Sequence, residues 1–150
     1  MTSDPFVPSS FDVPVAFDGP GFRLEPLGEQ HNERDYDAWM SSLEHIRSTP
    51  GFGEERGWPI PMSLDANRSD LVAHDRDFAD RTGFTYSILD GDEIIGCVYI
   101  YPSKAAEFDA EVSSWVRESR AEMDEVVYLA LTEWLRDVWP FANPGYAPRV

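Results

Sequence analysis

The stretch GFTYSILDGDEIIGCVYIYP, residues 83–102, constrains the fold more than any other part of the chain. Two runs rich in Ile, Val, Thr and Tyr flank Asp90-Gly91-Asp92, the short-range signature of two antiparallel strands joined by a tight turn. The second run, IIGCVYIY, is the longest apolar one, and at eight residues it cannot span a bilayer. It contains Cys97, the only cysteine, which therefore reads as a small buried hydrophobe with no partner for an intrachain disulfide.

Elements on either side of the hairpin follow from periodicity. Residues 22–27, FRLEPL, place Phe22 and Leu24 opposite Arg23 and Glu25, the pattern of a half-buried strand. Residues 32–47 set Tyr36, Trp39, Met40, Leu43 and Ile46 at helical spacing, with Asn32 or an early Asp as cap, and predict one amphipathic helix. A second helix is expected over 64–82, with Leu64, Leu71, His74 or Asp75, and Phe78 along its stripe. After the hairpin, AEVSSWVR (110–117) reads as a further strand. Residues 122–138 read as a third helix with Val127, Leu131, Trp134, Leu135 and Val138 on one face. The class is α/β (α+β): a mixed, mostly antiparallel sheet flanked by helices.

Between the first two helices, residues 48–63 hold three prolines and three glycines, a loop of unusual length for a compact domain. Phe52 and Trp58 make it either a binding lid or a loop anchored to the core. Prolines 5, 8, 14 and 20 deny residues 1–21 a regular helix or central strand, yet Phe6, Phe11, Val13, Val15 and Phe17 are too apolar for a free tail. The expectation is an extended arm, 1–21, packed on the domain or on a second subunit, followed by a single domain over 22–150. At 150 residues such a domain buries roughly 70% of its unfolded surface.

A net charge of −16 with only twelve Lys and Arg argues against nucleic acid and against anionic membrane surfaces. A basic small molecule or peptide is the charge-compatible partner, and solubility alone is the alternative account. MTSDPFVPSS lacks the basic and hydrophobic regions of a signal peptide, so a cytoplasmic protein is expected. His31, His45 and His74 are spaced by fourteen and twenty-nine residues with no zinc-like grouping, and no metal is expected. Serines lack a G-x-S-x-G context, so nucleophilic hydrolysis has no support. His74, on the stripe of its helix, reads as a hydrogen-bonded, partly buried residue.

The order strand, two helices, hairpin, strand, helix, together with the D-G-x-x-I-G turn of the hairpin, resembles the GNAT acetyltransferases over roughly residues 22–139. The resemblance implies transfer of an acyl group from acetyl-CoA or another acyl-CoA to an amine, here of an unknown small molecule, a basic one being charge-compatible. It implies that EVSSWVR pairs with the pantetheine arm, which nominates Trp115 and Val116, and that Arg117 and Arg120 face the pyrophosphate. It further offers Glu111 as proton acceptor, His45 beside the long loop as general base, and Tyr146 as general acid, the alternative for Tyr146 being a tail aromatic packed on the sheet.

The sequence departs from the family at its diagnostic motif, Arg or Gln followed by x-x-Gly-x-Gly or Ala. Aligned on Arg120, it reads RAEMDE, with Met123 and Glu125 where small residues belong. Ser119 to Glu122 instead reads as a capping box, and Glu118, Glu122, Asp124 and Glu125 favour the helix start while repelling a phosphate. The competing expectation is therefore a non-catalytic binding or regulatory protein on the same fold that has lost acetyl-CoA binding, with a homodimer through the arm as a further alternative.

Overall fold

A computed structural model describes residues 5–53 and 56–149; Met1–Asp4 of the arm, Glu54 and Glu55 of the long loop, and Val150 lie outside the described residues. Six strands form one sheet in the order β1 (Phe17–Gly19), β2 (Phe22–Pro26), β3 (Phe84–Asp90), β4 (Glu93–Tyr101), β5 (Ala110–Val116) and β6 (Pro144–Tyr146). Neighbours run antiparallel as far as β5, whereas β6 pairs parallel to β5 over Ala110–Val112 only. The helices are α1 (Asn32–Met40), α2 (Leu43–Arg47), α3 (Leu64–Ala79) and α4 (Met123–Val138).

The hairpin forms as expected, with Gly91 in its two-residue turn at φ 61, a backbone state costly for any residue with a Cβ. Side chains of β4 then build two cores, their alternation shifted by one residue at the bulge opposite Ile88 and Leu89. Ile95, Val98 and Ile100 face α4, together with Phe84, Tyr86, Val127, Leu131 and Trp134. Ile94 and Cys97 face the other side, with Trp39 of α1, Ile46 of α2, Phe52 and Trp115. Gly96 lies where β4 and β5 approach closely, since a Cβ there would sit 2.1 Å from the Trp115 carbonyl oxygen.

Four expectations change in detail. The predicted helix over 32–47 breaks at Ser41 and Ser42. Ser42 leaves helical geometry at φ −134, and its buried hydroxyl accepts the Glu118 N–H at 2.8 Å, tying α1–α2 to the turn before α4. The Ser119 capping box does not form. Residues 118–120 make a 3-10 turn, and the cap residue of α4 is Glu122, already helical at φ −62 and ψ −19, so Ser119 is not in the extended position that a capping serine needs. Val138 and Leu64 end on the solvent side of their helices. The arm adds a strand of its own, β1, and packs Phe6, Phe11, Val13 and Phe17 around buried Val7 on the α4 core of this same chain.

Candidate functional site

Two regions carry the polar chemistry, one on each face of the sheet. The first is the junction of β5 with α4. Beyond Val112 the edge of β5 is not covered by β6, and the segment after β6 fills the gap with the Arg149 side chain, only 4% exposed. Its Nη2 donates to the Ser114 carbonyl oxygen at 2.6 Å, and its Nε donates to Asp124, in the first turn of α4, at 2.8 Å. The guanidinium also lies 5.7 and 5.6 Å from the ring centroids of Tyr128 and Tyr146.

Arg117 and Arg120 point away from this gap. Arg117 pairs with Asp37 of α1 and with Glu93, and Arg120 pairs with Asp90, Glu93 and Glu122, so both are held by the hairpin end and its surroundings. Trp115 turns into the opposite core and donates its indole N–H to the Tyr99 hydroxyl at 3.0 Å, while Val116 is buried in the α4 core. Exposed Glu111 and half-buried Tyr146 share a cavity of about 510 Å³ with Ser113 and Arg56. The Tyr146 hydroxyl meets Ser114 Oγ, and burial pushes its pKa up, so the phenol keeps its proton. His45, half-buried on α2, lines neither this cavity nor the one described next.

The second region is a cavity of about 210 Å³ between α1, α3 and β4, under the long loop. Its buried polar groups include Asp35 of α1, 4% exposed, and Asn67 of α3, 3% exposed. Asp35 Oδ2 accepts from Asn67 Nδ2 at 3.1 Å. Asn67 is fixed in turn, donating to Asn32 Oδ1 at 2.9 Å and accepting the Trp39 indole N–H at 3.1 Å. Among the described residues no cation pairs with Asp35 and Oδ1 accepts no hydrogen bond, and burial raises its pKa to about 6. Tyr99 and Tyr101 of β4 and half-buried Trp58 of the loop supply aromatic walls, with exposed Asp70 and Arg56 at the rim.

His74 of α3 closes the far side. Tyr101 gives its proton to Asp77 at 2.9 Å, so the 2.8 Å contact from His74 Nδ1 to the same hydroxyl places the hydrogen on Nδ1. Nε2 is then the lone-pair nitrogen, and burial holds the imidazole below its ordinary pKa, hence neutral. Among the described residues no cluster of His, Cys, Asp and Glu could hold a metal, and no helix is long and apolar enough to cross a membrane.

Sequence comparison with protein-family models and with curated proteins gives no match. Solved structures do match. Ribosomal-protein-S5-alanine acetyltransferase from Vibrio fischeri superposes with a TM-score of 0.60 at 13% identity, over 81% of this chain and 67% of that one. The ribosomal L7/L12 alpha-N-protein acetyltransferase in complex with coenzyme A gives 0.57 at 14%, over 82% and 67%. Microcin C7 self immunity acetyltransferase in complex with acetyl-CoA and AMP gives 0.58 at 13%, over 78% and 62%. The chain has the GNAT acetyltransferase fold. It spans about two thirds of the length of these structures or less.

Within the GNAT fold the β5–α4 junction is where the resemblance implies acetyl-CoA, and the residues present do not fit it. Ser114, on the strand expected to pair with pantetheine, has its carbonyl oxygen taken by Arg149. The turn into α4 presents Glu118, Glu122, Asp124 and Glu125 and no glycine, and the three nearby arginines are all neutralised by carboxylates.

Asp35, Asn67, Tyr99, Tyr101 and Arg149 are absent from the sequence-derived site. A signal existed for the first: Asn32, Asp35 and Trp39 lie on one helical stripe, so two polar residues continue an apolar face. Tyr99 and Tyr101, two apart on a strand, share a face by alternation. Nothing local marks Arg149, whose partners are 25 and 35 residues away.

Proposed function

We propose that this chain is a GNAT-fold binding protein for a small amine, with the acyl-donor slot closed by its own segment after β6. The observation that carries the reading is Arg149. Its guanidinium occupies the gap between β5 and α4 and is neutralised there by Asp124, so the Ser114 carbonyl oxygen is taken from pantetheine and Arg149 offers no unpaired charge to pyrophosphate.

A second reading, acyl transfer to an amine, is favoured by the fold and by the cavity that Glu111 and Tyr146 share beside the uncovered edge of β5. Under that reading Arg149 is displaced by the donor. One experiment separates the two: thermal-shift titration with acetyl-CoA on the unmodified chain and on Arg149→Ala. No stabilisation of either at millimolar acetyl-CoA supports the binding protein. Stabilisation of the unmodified chain overturns it in favour of the acyltransferase, and stabilisation of the variant alone identifies Arg149 as what closes the slot.

A further inference from the structure

We propose that the cavity between α1, α3 and β4 is a binding site for a small organic ammonium ion, with Asp35 as its counter-ion and Trp58, Tyr99 and Tyr101 as its aromatic walls. The proposal rests on the reading of this chain as a small-amine-binding protein, whose site it names, and is independent of whether the donor slot is closed.

Chemistry selects the ligand class. A carboxylate 4% exposed is ordinarily paired with a cation or densely hydrogen-bonded, because burying the charge alone is costly. Asp35 has one amide donor, on Oδ2, and Oδ1 is left for whatever enters the cavity. The aromatic rings beside it attract cations through their faces, and the combination of carboxylate and rings is what recognises ammonium groups. Arg56 illustrates this on the same wall, its guanidinium lying 4.7 Å from the Phe52 centroid and 5.8 Å from that of Tyr99.

Size sets the scale. A cavity of about 150 Å³ is enough for a benzene ring, so the roughly 210 Å³ here takes a ring or short chain bearing one ammonium. A divalent metal is a poor alternative, since Asp35 is the one buried carboxylate on the lining and no second ligand joins it.

The charged and titratable groups around Asp35 leave the site negative. Asp70 of α3 and Asp77, through Tyr101, add to the field, Arg56 at the rim opposes it, and His74 is neutral. Cys97 and Tyr99 of β4 stay protonated, burial pushing both pKa values up. An ammonium should therefore bind best when Asp35 is ionised, above about pH 6.

The test uses benzylammonium and its neutral counterpart of the same shape, benzyl alcohol, titrated by calorimetry at pH 8, where a primary ammonium stays charged. The cation should bind at least tenfold tighter than the alcohol, and its affinity should fall as pH is lowered through about 6. Asp35→Asn should abolish the preference, whereas Glu44→Gln, the same loss of charge on a side chain 90% exposed, should leave it intact. Equal affinities for the two probes, no binding of benzylammonium at millimolar concentration, or a preference that survives in Asp35→Asn would each overturn the proposal. If Asp35→Asn does not fold, the pH dependence of the unmodified protein decides alone. Acetyl-CoA is absent throughout, so failure here counts against amine binding alone, while the acetyl-CoA titration tests the closed donor slot by itself.

Discussion

The β5–α4 junction and the α1–α3 cavity each hold an aspartate in the first turn of a helix, beside tyrosines, under a segment of irregular chain. They differ in what answers the charge. Asp124 meets a buried guanidinium at 2.8 Å, and the neighbouring Arg117 and Arg120 are likewise consumed by carboxylates. Asp35 meets a single amide. A site whose charges are already matched has little left to offer a ligand, because any newcomer must first break a pair. A site that holds an unmatched charge gives up stability and recovers it when the counter-ion arrives. Location in the fold points to the junction, whereas the unmatched charge lies in the cavity.

The comparison breaks if the two aspartates respond alike to removal, and the largest effect is expected at the junction. Asp124→Ala strands the Arg149 guanidinium, 4% exposed, without its carboxylate. Urea unfolding should show a loss of about 3 kcal/mol, the usual cost of breaking a buried pair from one side. A loss near zero would mean that Arg149 simply swings out to solvent, and the slot would then be open rather than closed.

The opposite sign is expected for Asp35→Asn. The carboxyl has a pKa of 3.8 when unfolded and about 6 when folded, so between those values the native state binds more protons and stability falls as pH rises. Above pH 6 the penalty is complete, and a shift of about two units corresponds to about 3 kcal/mol. Asparagine removes that penalty and can still accept from Asn67 through its carbonyl. The variant should be about 2–3 kcal/mol more stable than the parent at pH 8 and no different at pH 3, measured by urea unfolding at both. A destabilised variant at pH 8 would mean that Asp35 is answered by a charge that the static structure does not show.

These two aspartates also mark how far the sequence could be read. The hairpin, β5 and α4 were legible because Gly91 between two β-rich runs and the spacing of Val127, Leu131 and Trp134 are local signals. The missing glycines near Arg120 were legible as a departure from the family motif, but the Ser119 capping box read in their place does not form, and the junction carries long-range pairing with Arg149 instead. Helix 32–47 read as continuous because its apolar stripe runs through Ser41 and Ser42. The break comes from a hydrogen bond between Ser42 and Glu118, 76 residues away, which no local window contains. Glu111 and Tyr146 do come together in one cavity, from strands that are parallel neighbours only once β6 inserts beside β5. His45 stays apart. Asp35 was hidden for a different reason: acidic residues in a first helical turn are ordinary at the surface, and only the packing of α3 over α1 buries this one.

A smaller effect sharpens the picture at the hairpin end. Arg120 reaches Asp90 at 2.6 Å and Glu93 at 2.9 Å, and those two contacts raise its pKa, the Asp90 hydrogen bond most of all. All three side chains remain partly exposed, at 22%, 47% and 42%. Arg120→Ala should therefore cost only about 1 kcal/mol in dilute buffer and less in 1 M salt, which screens exposed pairs. An equal loss at both salt concentrations would mean that the Arg120 side chain contributes by packing rather than by charge.

The smallest effect concerns His74, at the cavity's far side, and it runs against Asp35 in pH. Burial lowers the folded pKa of His74 below 6.5, so its contribution is present above that value and lost as pH falls, when the unfolded chain takes up a proton that the native state resists. Asp35 does the reverse over an overlapping window, which flattens the pH dependence of the parent between about 4 and 6. Replacing His74 with Gln keeps a donor toward Tyr101 and removes the titration. The variant should then gain relative stability as pH falls below 6.5, by less than about 1 kcal/mol. The double variant with Asp35→Asn should be nearly flat in both directions. Unfolding curves for the four proteins at pH 4, 5, 6, 7 and 8 would show this directly. A residual slope in the double variant would assign the cavity's proton linkage to some other group, and the first to examine would be buried His31, whose imidazole is also held low by burial.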